Sequence, residues 1–274
     1  MVFDFLKSIL LGIIQGLTEF LPVSSSGHIV LAKELFSIQS YGLLYEVMLH
    51  FGTFLSVLVI FRKEIYAICV SLVGGIAEAY REKSLKKLTN NPDSLLGVLI
   101  IVATIPGGVA GLVFKDTISC LFRNPLFVSF SLILTGIILY LTRFIKEQKK
   151  ELSFMQAAII GCAQICALIP GISRSGMTIS TGIFCGISRE KAVKFSFYLS
   201  LPLILGATIL ELIDSFSFSN PEVNSIQLLT GLITAFLFGY GAIKILLKVV
   251  IAGKFYLFSY YCAVAGIVSL IYFL

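Results

Sequence analysis

The chain has 274 residues, of which 57% are hydrophobic and 13% charged, and its mean hydropathy is +0.98. Water-soluble domains carry about 25% charged residues, so this composition leaves too little polar surface for one. The net charge of +6 comes without a basic stripe interleaved with aromatics, so no nucleic-acid partner is expected.

Taken in chain order, residues 3–36 form an apolar stretch broken by Pro22-Val23-Ser24-Ser25-Ser26-Gly27. The stretch lacks a basic leader and a small-residue cleavage site, so it does not read as a cleavable signal peptide. Each flank of the break is read as too short to cross a bilayer. Candidate spans follow at 45–61, 95–113 and 126–142, near the roughly 17–25 residues that a bilayer core requires. A second apolar stretch, 154–187, is broken by Pro170-Gly171-Ile172-Ser173-Arg174-Ser175-Gly176. Three more spans follow at 195–213, 226–247 and 255–273. Short apolar pieces around a Pro/Gly/Ser break predict re-entrant hairpins. The expected fold is an all-α polytopic membrane protein, a single domain over 1–274 with six transmembrane helices and two re-entrant helical hairpins.

The two broken stretches resemble each other. An offset of 149 superposes Gln15 on Gln164, Ser24 on Ser173, Ser26 on Ser175 and Gly27 on Gly176. Each is followed by three spans, and an odd number of crossings turns the second repeat upside down. Inverted-topology repeats are therefore expected, about 1–150 and 151–274, with a site where the breaks meet.

Charge orients the chain. With 65–80 taken as an interfacial helix, segment 62–94 carries Arg62, Lys63, Arg81, Lys83, Lys86 and Lys87. Segment 143–151 has Arg143, Lys146, Lys149 and Lys150. Segment 188–194 adds Arg189, Lys191 and Lys194, and 244–254 adds Lys244, Lys248 and Lys254. These are 16 of the 21 basic residues, all on the side the positive-inside rule makes cytoplasmic. Loop 214–225, with Asp214 and Glu222 and no Lys or Arg, then lies outside. The six cysteines (Cys69, Cys120, Cys162, Cys166, Cys185 and Cys262) read as packing residues, since no companion completes a metal site around Cys162 and Cys166.

The polar residues of the two breaks carry the chemistry. Gln15 and Glu19 are four apart and share a helix face. Glu19 is an ionisable group in an apolar run, costly unless it meets a polar partner. The serines after Pro22, with Gly27 and His28, look like a helix start whose free N–H groups suit an anion. Arg174 offers a fork of donors matched to phosphate oxygens, flanked by Ser173, Ser175 and Thr178. Singly, each has a structural alternative, including a simple Arg174–Glu19 pair across the repeats. His50, without a companion motif, is read as an interior residue, and the role of Glu46 is left open.

At these residues the sequence resembles the undecaprenyl-diphosphate phosphatase family, also called bacitracin-resistance proteins. Gln15 and Glu19 match its first element, Pro22, Ser24, Ser25, Ser26, Gly27 and His28 its second, and Pro170, Gly171, Ser173, Arg174, Ser175, Gly176 and Thr178 its third. Gln15 and Ser26 stand where many members have Glu and Thr. The resemblance implies hydrolysis of the membrane-lipid substrate undecaprenyl diphosphate to the monophosphate and phosphate. It implies a divalent cation, Mg²⁺ or Ca²⁺, and a site open to the outer face of the bacterial cytoplasmic (inner) membrane. Removal of the diphosphate lipid, which bacitracin binds, would confer resistance.

On that footing Ser24, Ser26, Gly27, Ser173, Arg174, Ser175 and Thr178 bind the diphosphate, and Glu19 with Gln15 holds the metal. His28 or Ser25 attacks the terminal phosphorus. The preferred order has Ser25 as nucleophile and His28 as acid/base, with attack by water left open. A lipid or ion transporter is the main competing reading, because discontinuous helices serve transport too. Oligomeric state, a homodimer included, is left open.

Overall fold

The structure, a computed structural model, describes residues 2–36, 43–146, 148, 150–217 and 225–274. Its helices in order are α1 (Val2–Phe20), α2 (Ser25–Leu35), α3 (Leu43–Ile60), α4 (Arg62–Glu82), α5 (Lys87–Asn90), α6 (Pro92–Val113), α7 (Lys115–Leu121), α8 (Pro125–Leu141), α9 (Phe154–Cys166), α10 (Arg174–Phe184), α11 (Arg189–Ser217), α12 (Ser225–Ile251) and α13 (Phe258–Phe273). No strand occurs among the described residues. This is an all-α, multi-pass membrane protein.

Local chemistry sets where helices start. The Asn91 side chain accepts from the Asp93 and Ser94 N–H groups ahead of α6, and Asn124 accepts from Phe127 N–H ahead of α8; each is followed by proline. Proline suits the first helical position because its missing N–H is not needed there. Ser153 and Gln156 close a capping box on α9.

Five helical stretches are long and apolar enough to cross a bilayer alone: Pro92–Val113, Pro125–Phe144, Arg189–Leu210, Ser225–Ile251 and Phe255–Phe273. The sixth expected span, α3, meets that measure only together with α4, from which it is bent by 86°. Residues 65–80 therefore do not prolong α3; α4 turns aside at Phe61 and packs on α5 and α6. One expectation needs correction. The first flank is not short: α1 has 19 residues, about 28 Å at 1.5 Å per residue. Its Asp4, Lys7 and Glu19, not its length, set it apart from the apolar spans.

Between apolar helices in lipid, close contact depends on small residues. α12 is gripped by α1 and α3, where a Cβ added at Gly52 would lie 2.4 Å from Leu232 O. α9 meets α6 as closely, with a Cβ at Gly161 falling 2.5 Å from Ala103 O. Four of the six cysteines do not pack in the interior, contrary to expectation, while Cys185 packs against the core. Cys262 is buried, but Cys69, Cys120, Cys162 and Cys166 are exposed.

Two helix pairs, α1–α2 and α9–α10, are interrupted at 21–24 and 167–173, and the interruptions meet. A Cβ at Gly27 would lie 3.0 Å from Gly171 Cα, and Ser175 Oγ donates to Leu21 O at 3.4 Å. α8 satisfies the second break: Thr135 Oγ1 donates to Gly171 O at 2.9 Å and accepts from Ser173 N–H at 3.2 Å. α3, α6 and α8 follow the first pair; α11, α12 and α13 follow the second. The side chains of Asp214, Glu222, Lys87 and Lys149, used above for orientation, lie outside what is described.

Candidate active site

Helix starts position the site. Ser24 Oγ accepts from Gly27 N–H at 3.3 Å at the start of α2, and Ser173 Oγ accepts from Gly176 N–H at 3.0 Å at the start of α10. Each cap satisfies one of the first-turn N–H groups and leaves others for a further acceptor. Ser24 itself is bent into the left-handed region, φ 67°, a conformation that costs about 1–3 kcal/mol and persists only where its surroundings hold it.

Glu19, at the end of α1, is the hub. Arg174 Nη2, from the first residue of α10, donates to Glu19 Oε1 at 2.8 Å. Ser25 Oγ donates to Oε2 at 2.7 Å, and Gln15 Nε2 donates to the same oxygen at 2.9 Å. The Glu19 side chain is 5% exposed and that of Arg174 17%. A carboxylate so buried is tolerated because a cation and two neutral donors satisfy both of its oxygens.

The structure adds one residue that sequence reasoning set aside. His50 Nδ1 lies 2.8 Å from Gln15 Nε2 and 3.2 Å from Glu19 Oε2. It is part of this cluster, not a lone interior histidine. Its signal was present in the spacing: Glu46 and His50 are four apart, on one face of α3. Glu46 itself pairs with Lys33.

Other expected members point elsewhere. His28 Nδ1 lies 2.8 Å from Ser24 O and therefore donates to it, which leaves Nε2, 2.8 Å away, to accept from Tyr261 OH. Its ring stacks on Tyr261 with centroids 5.6 Å apart. His28 thus ties down the carbonyl of strained Ser24 and does not reach Ser25. Thr178 Oγ1 is spent on Arg174 O at 2.9 Å and Ser196 Oγ at 2.7 Å. Ser175 is buried on Leu21 O, and Gly27 is buried on Gly171. Ser175 and Gly27 stabilise the seam between the breaks, and Thr178 ties α10 to α11, so none of the three faces open space.

A cavity of about 510 Å³ opens beside the cluster, lined by Glu19, Ser24, Ser25, Ser26, His50, Ser173 and Arg174. Leu112, Leu168, Leu203 and Leu210, with Gly108, Gly111 and Gly206, form much of its remaining wall. The arrangement can bind a phosphorylated group and hold a hydroxyl against a carboxylate, with apolar surface close by.

The donor set does not make a ready cation cage. No group of three or more His, Cys, Asp or Glu side chains suited to a metal occurs among the described residues. Glu19 is one carboxylate with both oxygens engaged, and the Arg174 guanidinium beside it opposes a second cation. Gln15 Oε1, buried without a partner, is a single neutral acceptor.

These features define a multi-pass α-helical membrane protein with a phosphate-type site buried where two broken helices meet. Residues 8–268 match the family described as Bacitracin resistance protein BacA, and the chain belongs to that family. It is 43% identical to the Undecaprenyl-diphosphatase of Desulforapulum autotrophicum over 269 residues, 97% of each chain. It is 42% identical to that of Halothermothrix orenii over 271 residues and 38% identical to that of Methanosphaera stadtmanae over 273, 98% of each chain in both cases.

Proposed function

We propose that this protein hydrolyses undecaprenyl diphosphate to undecaprenyl phosphate and orthophosphate, recycling a cell-wall carrier lipid and depriving bacitracin of its ligand. The observation that carries the reading is Glu19 held between Arg174 and Ser25, beside two serine-capped helix starts and an apolar cavity. A phosphatase acting on a prenyl diphosphate needs these parts together: cationic and N–H donors for the phosphates, a nucleophile with its base, and an apolar wall for the chain.

Phosphoryl transfer depends on placement and on neutralising charge. On binding, the diphosphate draws the Arg174 fork and the free N–H groups of α2 and α10 onto its oxygens, with Ser24, Ser26 and Ser173 beside them. Ser25 Oγ attacks the terminal phosphorus, and its proton passes to Glu19 Oε2, the oxygen it already contacts. The new Oγ–P bond replaces the bond from phosphorus to the bridging oxygen, and the prenyl monophosphate leaves. Glu19 passes that proton to the departing bridging oxygen, then takes a proton from water as that water displaces phosphate from Ser25, and returns it to Ser25 Oγ. Glu19, not His28, fills the role of base, because His28 has both ring nitrogens engaged away from Ser25. Gln15 and His50 hold Glu19 in place. The residues present do not preform a Mg²⁺ or Ca²⁺ site.

The site faces outward in this reading. A second cavity, about 560 Å³, shares Ser26, Val47 and His50 with the first, and its lining includes Lys33, Glu34, Glu46, Ser119 and Arg123. Those residues sit at the end of α2, the start of α3 and on or just after α7. The positive-inside distribution makes that the outer side of the cytoplasmic membrane. The same distribution turns the second half of the chain over relative to the first.

Purified protein in detergent should release orthophosphate from farnesyl diphosphate, with and without added Mg²⁺ or Ca²⁺ as separate arms. A transporter that lacks hydrolase activity would release none in any arm, and that result would sink the proposal.

A further inference from the structure

Gln164 lies near the end of α9, is 2% exposed, and lines the same cavity as Arg174 and Glu19. Neither its Oε1 nor its Nε2 has a hydrogen-bond partner among the described residues. Buried amides are seldom left this way, because each unmade bond forfeits hydration without replacement. The repeat explains the vacancy. Gln15, which the 149-residue offset matches to Gln164, donates to Glu19 four residues on. The corresponding neighbour of Gln164 is Leu168, so the second hairpin keeps the amide and lacks the carboxylate. Room for it is built in: a Cβ added at Gly107 would lie 2.7 Å from Gln164 Nε2.

We propose that Gln164 is a substrate-binding residue whose Nε2–H donates to the diphosphate. Gly107 lies against its amide, and Leu168, four residues on, lines the same cavity, so it stands where polar groups give way to apolar wall. The oxygen it reaches is therefore on the phosphate that carries the prenyl chain, while Arg174 and Ser25 serve the terminal phosphate. This inference rests on the hydrolase reading above and adds a contact to it.

The test is Gln164→Leu, which removes the amide and fills a similar volume. Its KM for farnesyl diphosphate should rise about 10- to 100-fold, the range expected for losing a bond to a charged group, with kcat within about threefold. Thermal stability without ligand should be unchanged or higher, since a buried unmet amide is gone. Farnesyl diphosphate should also protect the wild type against thermal unfolding and protect the variant far less, a readout independent of turnover. Gly107→Ala, which crowds the amide without removing it, should shift KM in the same direction and serves if the leucine variant fails to fold. Unchanged KM and equal protection would overturn the assignment and leave the amide to an ordered water. A wild type that binds farnesyl diphosphate but releases no orthophosphate would sink the hydrolase reading instead, and the protection comparison would still decide the role of Gln164.

Discussion

Arg174 and Glu19 are bound to each other as well as to the proposed chemistry, and this couples activity to stability in a way that one double variant exposes. Arg174→Ala should abolish turnover. It should also destabilise the fold. The substitution strands a carboxylate that is 5% exposed, and removing one partner of a buried pair costs about 3–5 kcal/mol. Gln15 and Ser25 still donate to Glu19, so the lower end, about 3 kcal/mol, applies. At about 2–4 °C per kcal/mol for a chain of this size, the melting temperature in detergent should fall by about 6–12 °C. Scans must share one heating rate, because membrane-protein unfolding is commonly irreversible. Adding Glu19→Gln to Arg174→Ala removes the stranded charge and should recover most of that loss while leaving turnover abolished. A single variant as stable as wild type, or a double variant no more stable than the single, would refute the buried pair.

Three further substitutions test separate parts of the site. Glu19→Gln alone should lower orthophosphate release by about 10²- to 10⁴-fold, the range for losing a general base; near-normal turnover would remove Glu19 from the chemistry. His28→Gln should reduce kcat less than about tenfold and leave the pH profile in place, because it loosens the Ser24 turn without removing a reacting group. A collapse of activity with a displaced profile would restore His28 as acid/base. Gly206→Leu should raise KM for undecaprenyl diphosphate more than for farnesyl diphosphate. Its Cβ position meets nothing within 4 Å, so the added side chain projects into the apolar wall that the longer chain would occupy. Equal effects on both substrates would place that chain elsewhere.

Much of this was legible in the residues before any coordinates. Apolar length marked the spans, and Pro22 and Pro170 with their serines marked the breaks, because proline and capping hydroxyls act through local backbone chemistry. The offset that pairs Gln15 with Gln164 pointed to two breaks sharing one site. Sequence could not tell which polar side chains face the cavity and which face the seam. That depends on rotation about the start of a helix: Thr178, one turn beyond Arg174, reaches only Ser196 outside its own helix, while Arg174 reaches Glu19 as well. The turn of His28 toward Tyr261, 233 residues away, was hidden for the same reason. His50 was missed because the approach of α3 to α1 is a tertiary contact between helices distant in sequence. The length of α1 was underestimated because the charges of Asp4, Lys7 and Glu19 interrupt its apolar run without interrupting the helix.

The most direct test is to quench turnover of a prenyl diphosphate labelled at its terminal phosphorus and to map any label held on the protein. Transient phosphoserine at residue 25, absent from Ser25→Ala, is the expected result. Label on the ring of His28, or full turnover by Ser25→Ala with no labelled protein, would contradict the account of which side chain meets the phosphate.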